Sequence, residues 1–238
     1  MSTLVVGDIH GCWEELQELL AKTRVGHDDR VIAIGDVCDR GPQSDRVLEF
    51  FLSSPNATSI QGNHERKHLL GVDGLPQRIT RQQCGPALYE RALAWMRSLP
   101  YYLDLPEALL VHWGLMPGVP LDEQHPSVLT GEPVGEMSLT GMLGDSPWFN
   151  AYDGTKPVVY GHHSYASGVR RGIAYGIDTG CVYGQELTGL LLPEMRLVSV
   201  AARQNHWLTV RRAWLRQAAD EGGEAGGAGK LARADETD

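Results

Sequence analysis

Residues 30–42 read RVIAIGDVCDRGP, an apolar run that ends in two acids, an arginine and a Gly-Pro pair. The aliphatic and β-branched residues before Gly35 predict a buried strand, and the glycines and the proline predict a turn at its end. Asp36, Asp39 and Arg40 therefore lie where the strand stops. Three charged side chains are more than a turn requires, and they indicate a functional site.

The same design occurs at four other places, GDIHG (7–11), GNHE (62–65), VHWG (111–114) and YGHH (160–163). Each follows an apolar run that predicts a strand, and each puts Asp, Asn or His in the turn. In an α/β sheet the carboxyl ends of the strands form the edge at which ligands bind. We therefore expect six side chains to converge on one cleft: Asp8, His10, Asp36, Asn63, His112 and His162.

This set of side chains predicts a site for two divalent metal ions. Carboxylate, imidazole and amide oxygen without thiolate suit Mn²⁺, Fe²⁺ or Zn²⁺, and the set is too large for one ion. Asp8, His10 and Asp36 can hold one ion, and Asp36 can hold the second with the remaining three. Two such ions about 3.5 to 4 Å apart make a hydroxide at neutral pH and bind a phosphoryl group.

The remaining polar residues of these turns are candidates for catalysis. The planar guanidinium of Arg40 can bind two phosphate oxygens. Asp39 is placed to orient a histidine, and His64, directly after Asn63, is the candidate. A histidine held by a carboxylate can protonate a leaving oxygen. Glu65 is expected to support the turn.

Together these motifs resemble the phosphoprotein phosphatase branch of the calcineurin-like metallophosphoesterases. The signature GDxHG, GDxxDRG and GNHE, followed by two later histidines, occurs here in order from Asp8 to His162. The resemblance covers most of residues 3–201, and residues 176–190 are similar to bacterial diadenosine tetraphosphatases and small Ser/Thr phosphatases. It implies an α/β fold, a β-sandwich of two mixed sheets flanked by helices. It also implies two metals, direct attack by a metal-bound hydroxide, and the metal and catalytic residues given above.

Three positions depart from that family. Gln61 precedes GNHE where eukaryotic members usually have arginine. Asn150 takes the position at which many bacterial members carry a second phosphate-binding arginine, and His163 stands where a threonine is usual. Asn150 and His163 are thus candidate substrate-binding residues beside Arg40. The candidates for a replacement arginine are Arg66, Arg78 and Arg81.

The main functional hypothesis is a dinuclear phosphoesterase, preferring Mn²⁺, that hydrolyses phosphomonoesters in the manner of a Ser/Thr protein phosphatase. The alternative is a diadenosine tetraphosphatase or another nucleotide polyphosphate hydrolase, so the substrate is a phosphoprotein or a nucleotide. A non-catalytic metal-binding scaffold is a third hypothesis. It is disfavoured because Asp39, Arg40 and His64 are all present together with every metal ligand.

Other residues allow two interpretations. Trp113, Tyr160 and Tyr165 follow the later motifs and can stack on a nucleobase, although such aromatics more often belong to a core. Cys38 is predicted to be a small buried filler. His68, in a polar stretch, is predicted to be solvated.

Composition excludes several other classes. The 238 residues carry a formal net charge of −9, which argues against general binding to nucleic acids. Four cysteines without a C-x-x-C pair predict a reduced, cytoplasmic chain. We expect neither a membrane span nor a signal peptide. Residues 1–219 are predicted to form one catalytic domain, with loops over the site at 114–150, and residues 220–238 a disordered tail.

Overall fold

The apolar run before Asp36 forms a strand of a five-stranded sheet, between the central strand and an edge strand. The computed structural model describes residues 2–165 and 168–221. The first sheet consists of β1 (Thr3–Val6), β2 (Arg30–Ala33), β3 (Ala57–Ser59), β9 (Glu186–Leu192) and β10 (Arg196–Ala201). Its order is β10-β9-β1-β2-β3, in which β1, β2 and β3 are parallel and β9 and β10 are antiparallel to their neighbours.

The second sheet has the same mixed character. It consists of β4 (Tyr102–Asp104), β5 (Leu109–Val111), β6 (Val158–Tyr160), β7 (Val169–Arg171) and β8 (Ala174–Gly176). Its order is β4-β5-β6-β8-β7, with β5, β6 and β8 parallel and the two edge strands antiparallel. Each sheet thus contains three adjacent parallel strands, and the carboxyl ends of these strands can form a shared edge.

Seven helices complete the described part of the chain. They are α1 (Trp13–Thr23), α2 (Ser44–Ser53), α3 (Asn63–Leu69), α4 (Leu75–Ser98), α5 (Pro126–Leu129), α6 (Pro133–Leu143) and α7 (His206–Glu221). Helix α4 is broken at Gly85, whose φ is 62°. Pro86 follows the break directly and starts the second part of the helix.

The two sheets pack face to face because the inward residues of their strands are apolar. Val5 of β1 lies opposite Leu190 of β9 and shares an inner core with Leu110 and Val159 of the second sheet. Its neighbour Leu4 points to the opposite face, as the two-residue period of a strand requires. The predicted sandwich of two mixed sheets is confirmed.

Helices cover the outer faces of both sheets. Leu16 of α1, Val47 of α2 and Met96 of α4 pack on the outer face of the first sheet. Leu129 of α5 and Leu139 of α6 pack on the second sheet. The predicted α/β class, with helices flanking the sandwich, is therefore confirmed.

The stretch 114–150, predicted to form loops, is partly helical. Its weak periodicity reflects glycines that serve packing between helices. A Cβ on Gly135 would lie 2.1 Å from the carbonyl oxygen of Ser127, so α6 rests directly on the backbone of α5. The predicted tail, 220–238, begins within the last two residues of α7, and residues 222–238 lie outside the described part of the chain.

Candidate active site

The carboxyl ends of the parallel strands bring the predicted metal ligands to one edge of the sandwich. The turns after β1, β2, β5 and β6 each contribute side chains, and α3 begins with one directly after β3. A cleft of about 430 Å³ opens at this edge. It is lined by His10, Asp36, Asn63 and His162, while Asp8 and His112 are buried beside them.

Asp36 occupies the centre of this arrangement. Its Oδ2 lies 3.5 Å from Nε2 of His10, and its Oδ1 lies 3.5 Å from Nε2 of His112. Asn63 Oδ1 is 3.3 Å from the same His112 nitrogen. Each carboxylate oxygen of Asp36 therefore faces a different histidine, which is the arrangement that a ligand shared by two ions requires.

Hydrogen bonds orient two of the imidazoles for metal binding. Nδ1 of His10 donates to the carbonyl oxygen of Cys38 at 2.9 Å, and Nδ1 of His112 donates to that of Ile34 at 2.7 Å. Because a carbonyl only accepts, the proton must be on Nδ1, and Nε2 keeps its lone pair toward Asp36. Metal-binding histidines are typically held in this way.

His162 is held in the opposite sense by a residue of α6. Its Nε2 donates to Oε1 of Glu136 at 2.6 Å, which leaves the lone pair on Nδ1. His163 Nε2 lies 3.4 Å from the same oxygen. These contacts, led by the one to His162, lower the pKa of Glu136 to about 2. Glu136 could not be predicted from the sequence, because it is 26 positions from His162 in a stretch without a motif.

The charges of the cleft also fit divalent cations. Burial raises the pKa of Asp36 to about 6, and burial followed by Asp178 raises that of Asp8 well above its usual range. Burial lowers the pKa of His112 to about 4 and that of His10 well below normal, so both imidazoles are neutral. A metal ion binds imidazole in its neutral form. A cation would also offset the negative charge of the crowded, buried carboxylates.

Backbone strain is concentrated at the same turns. In residues 2–165 and 168–221, seven non-glycine residues have a positive φ. Five of the seven are His10, Asp36, Asp39, Arg40 and His162. Each such conformation costs roughly 1 to 3 kcal/mol and persists only where surrounding packing imposes it. The fold therefore stabilises these side-chain directions against local preference.

Two glycines let the backbone approach the carboxylates. A Cβ on Gly62 would lie 2.2 Å from Oδ1 of Asp36, and a Cβ on Gly161 would lie 2.2 Å from Oδ1 of Asp8. Any other residue at either position would displace a predicted metal ligand. The glycines of the GNHE and YGHH motifs are thus required by space.

Glu65 supports two turns at once. Its carboxylate accepts hydrogen bonds from the backbone amides of Asp36 at 2.8 Å, Val37 at 3.0 Å and Gly62 at 2.8 Å. Burial and then the charge of Asp36 raise the pKa of Glu65 to about 7. Glu65 therefore fixes the turn after β2 against the start of α3.

Asp39 is fully buried and accepts hydrogen bonds from four side chains. His64 Nδ1 lies 2.7 Å from Oδ2, His68 Nε2 lies 2.8 Å from Oδ1, and Thr80 Oγ1 donates to Oδ1 at 2.7 Å. Gln77 Nε2 also donates to Oδ2. Burial raises the pKa of Asp39, but His68 and His64 outweigh it and hold the pKa well below normal.

The prediction that His68 is solvated was wrong. The side chain is buried and bonds to Tyr89 Oη through Nδ1, at 3.0 Å, as well as to Asp39. His68 lies one helical turn after His64, so both reach the same carboxylate from one face of α3. The polar sequence around His68 concealed this, because its partners come from other elements.

His64 keeps one nitrogen unpaired. With Nδ1 bound to Asp39, its Nε2 is buried and has no hydrogen-bond partner among the described residues. Its ring lies 4.8 Å from that of His10, between centroids. Burial and then the charge of Arg40 lower the pKa of His64 well below normal. An unpaired buried nitrogen beside the predicted metal ligands is a candidate proton donor or acceptor.

Two cations line the cleft. Arg40 Nη1 lies 3.0 Å from His10 Nε2, and its guanidinium carbon lies 5.7 Å from the ring centroid of Tyr183. Lys67, which the sequence analysis missed, lines the same cleft, and its charge lowers the pKa of Asp36. Asp178 and Tyr183 complete the wall opposite α6.

The two other predicted substrate contacts lie in different places. His163 lines the cleft. Asn150 is exposed, donates to Ser146 Oγ at 3.4 Å, and is not among the described residues that line the cleft.

The predicted replacement arginines do not reach the cleft either. Arg66 bonds to Glu132 and Tyr101, and Arg78 and Arg81 both pair with Asp73.

Carboxylates and imidazoles are buried around Asp36 at one edge of a two-sheet sandwich, and this arrangement suits a metal-dependent phosphoester hydrolase. Comparison with known families agrees, because calcineurin-like phosphoesterases match residues 1–190. The chain belongs to that family, and it is a hydrolase that uses divalent metal ions. No helix in the described part of the chain is long and apolar enough to cross a membrane.

Several proteins that are similar to this chain are named or provisionally assigned as tetraphosphatases. The asymmetrical bis(5′-nucleosyl)-tetraphosphatase PrpE of Oceanobacillus iheyensis is 29% identical over 84% of this chain and 92% of its own. That of Bacillus cereus strain AH187 is 32% identical over 82% and 92%. A crystal structure provisionally assigned as a diadenosine tetraphosphatase superposes with a TM-score of 0.69 at 28% identity, covering 84% of this chain and 93% of its own.

A Ser/Thr phosphatase from Saccharomyces cerevisiae shares the fold, with a TM-score of 0.55 at 16% identity over 85% of this chain and 79% of its own. The comparisons therefore favour the alternative hypothesis, nucleotide polyphosphate hydrolysis, over the Ser/Thr phosphatase hypothesis.

Proposed function

We propose that this chain hydrolyses bis(5′-nucleosyl) tetraphosphates, with diadenosine tetraphosphate as the reference substrate. The observation that carries the proposal is Asp36, whose two oxygens face His10 and His112 in a cleft that belongs to a phosphoesterase fold. The substrate class rests on tetraphosphatases that match more than four fifths of the chain at about 30% identity.

Six residues would hold the two metal ions. Asp8, His10 and Asp36 form one set, and Asp36 forms the second with Asn63, His112 and His162. Divalent ions in such a site supply a nucleophile at neutral pH and offset the charge of a phosphoryl group. We propose Mn²⁺, because carboxylate, carbonyl and imidazole ligands suit it and none of the six is a thiolate.

The cations of the cleft bind the polyphosphate. The guanidinium of Arg40 can make two charge-assisted hydrogen bonds to one phosphoryl group. Lys67 adds a second positive charge along the same wall and can contact a further phosphate. A tetraphosphate needs more than one such contact, whereas a phosphomonoester needs only Arg40.

His64 and Asp39 provide the proton transfer. Asp39 accepts a hydrogen bond from Nδ1–H of His64 and fixes the ring, so that Nε2 is the atom that exchanges a proton with substrate. Protonation of the leaving oxygen by a positioned histidine contributes roughly 10²- to 10⁴-fold to a rate. The other three donors to Asp39 hold its carboxylate still and keep it ionised.

The test is a substrate panel measured with Mn²⁺, Fe²⁺ and Zn²⁺. Diadenosine tetraphosphate, a Ser/Thr phosphopeptide and p-nitrophenyl phosphate are compared by kcat/KM. We expect the dinucleotide to be preferred, by roughly the 10- to 100-fold that one additional charge-assisted contact supplies, and Mn²⁺ to support the fastest turnover. A phosphopeptide preferred over the dinucleotide would reject the proposal in favour of a protein phosphatase.

The cytoplasm is the proposed location. Cys12, Cys38, Cys84 and Cys181 are all free thiols, and three of them are buried. Thiols in this state fit a reducing compartment. Cell fractionation of the native organism with an antibody against the chain would test this location, and recovery in an extracellular fraction would contradict it.

A further inference from the structure

A second cavity adjoins the catalytic cleft and takes no part in the chemistry described above. It has a volume of about 370 Å³, within the range of small-molecule sites. Five aromatic side chains from distant parts of the chain line it: Trp113, Trp148, Phe149, Tyr160 and Tyr165. A wall of this composition suits a flat, apolar ligand with a polar edge.

The cavity and the cleft share a boundary. His163 lines both, and its ring stacks on that of His162 with centroids 4.8 Å apart. The ring of Trp113 lies 5.9 Å from that of His162 and 6.0 Å from that of His163. A ligand in the cavity would therefore lie directly beside the predicted metal ligands.

One side of the aromatic wall is buried and packed, and the other side is exposed. Trp148 packs edge-on against Tyr160 with ring centroids 5.2 Å apart, and both are buried. Phe149 stacks on Tyr160 at 5.6 Å. The exposed guanidinium of Arg171 lies 5.9 Å from the ring centroid of Phe149. Aromatic rings and an arginine plane are the surfaces on which nucleobases stack.

We infer that this cavity binds one purine base of the substrate, and this inference rests on the proposed function. The base lies against Phe149 and Arg171, the ribose passes His163, and the first phosphate enters the cleft. Asp145, at the rim of the cavity, can accept hydrogen bonds from the exocyclic amine of adenine. The occupant is thus a nucleoside whose phosphates are held by Arg40 and Lys67.

The first test is equilibrium binding, because it does not depend on turnover. The full chain with Mn²⁺ is titrated with AMP and with ribose 5-phosphate by calorimetry. We expect AMP to bind more tightly by roughly 5- to 150-fold, the contribution of one stacked base. Equal affinity for the two ligands would overturn the inference.

Two variants locate the contribution of the base. Phe149→Ala removes a stacking ring, and Arg171→Ala removes an exposed plane without affecting the core. Both are expected to reduce the preference for AMP over ribose 5-phosphate. They should also lower the ratio of kcat/KM for diadenosine tetraphosphate to that for p-nitrophenyl phosphate. The matched control is Met116→Ala, which trims a half-buried side chain in a separate cavity.

The outcomes separate the two proposals. A preference for AMP that persists in both variants would show that the base lies elsewhere. A wild-type enzyme that prefers a phosphopeptide rejects the proposed function, while the binding experiment still decides whether the cavity holds a base.

Discussion

At the scale of single residues, the metal-binding capacity of the cleft depends on which atom of each side chain already makes a hydrogen bond. His10 and His112 donate through Nδ1 to backbone carbonyls, whereas His162 donates through Nε2 to Glu136. The tautomer of each ring is thereby set before any ligand binds. Among the described residues, the carboxylate of Asp36 accepts one direct hydrogen bond, from the His64 amide at 3.0 Å, and it keeps oxygen lone pairs for cations.

Asp36→Asn is expected to abolish activity and lower the metal content. An amide has one oxygen and no charge, so it cannot serve two cations. The expected loss in kcat/KM exceeds about 100-fold, since substitutions in the outer shell of a metal site alone cost roughly 10- to 100-fold. Metal analysis of the purified variant gives the stoichiometry. The control is Asp73→Asn, an exposed aspartate, and two bound ions with normal turnover in Asp36→Asn would refute the shared role.

His64→Asn is expected to retain both metals and lose turnover by roughly 10²- to 10⁴-fold, the range for a general acid. The loss should be smaller for p-nitrophenyl phosphate than for phenyl phosphate, because p-nitrophenolate leaves without protonation. Parallel kinetics on the two esters measure this difference. The matched control is His27→Asn, whose side chain is 93% exposed. An equal loss on both esters would argue against proton donation by His64.

At the scale of elements, the sequence predicts the motifs that neighbouring residues form. It does not predict the contacts that form between distant elements. The strand-end motifs could be predicted because each is an apolar run followed by its own turn, as for Asp8 and Asp36. Glu136 and Lys67 could not, since no pattern beside them indicates that α6 and α3 face the cleft. The placement of Asn150 in the cleft could not be judged from the local pattern either. The short helical turn around it directs Trp148 inward and leaves Asn150 exposed.

The fit of α6 on α5 should be sensitive to a single methyl group. Gly135→Ala places a Cβ 2.1 Å from the carbonyl oxygen of Ser127, so α6 must move and carry Glu136 away from His162. The expected cost is about 1 to 3 kcal/mol, as for other overpacked sites. Activity should fall roughly tenfold through the loss of an outer-shell partner. Thermal unfolding and kcat/KM measure the two effects.

Gly141→Ala is the matched control on the same helix. A Cβ there meets no atom within 4 Å among the described residues. Alanine should therefore stabilise α6 by about 0.5 to 1 kcal/mol, because it loses less entropy than glycine on folding. Equal destabilisation by both substitutions would show that the Gly135 contact is not decisive.

At the scale of the whole molecule, the start of α7 contacts α1, which packs on the first sheet. Helix α7 ends the described part of the chain, and the domain boundary at 219 stays a prediction. Deleting residues 222–238 is expected to leave the thermal midpoint and kcat/KM unchanged, since the Gly/acid-rich composition cannot bury a core. Truncation after residue 205, which also removes α7, is the contrasting variant. A lower midpoint for the shorter deletion would show that the tail contributes to folding.

The attachment of α7 depends on Glu15 of α1. Its Oε1 lies 2.8 Å from Nε2 of His206 and accepts from the backbone amide of Arg203 at 3.0 Å. Burial raises the pKa of Glu15, but these hydrogen bonds outweigh it and lower the pKa from 4.5. Besides His206, the thiols of Cys12 and Cys181 lie beside this carboxylate. Glu15 is thus ionised in the folded protein, and its charge links residues far apart in sequence.

Glu15→Gln should lower the thermal midpoint in a pH-dependent way. Hydrogen bonds to a charged group contribute about 1.5 to 3 kcal/mol, which corresponds to a loss of roughly 3 to 12 °C for a domain of this size. A carboxylate with a lowered pKa contributes its full stability above the unfolded value of 4.5 and loses it as the pH falls through the folded value. The midpoint difference between wild type and variant should therefore be constant above pH 4.5 and shrink below it. Glu14→Gln, which alters only an exposed pair with Arg203, should show little difference at any pH. A difference for Glu15→Gln that persists undiminished in acid would mean that the side chain acts through packing, and that its charge does not hold α7.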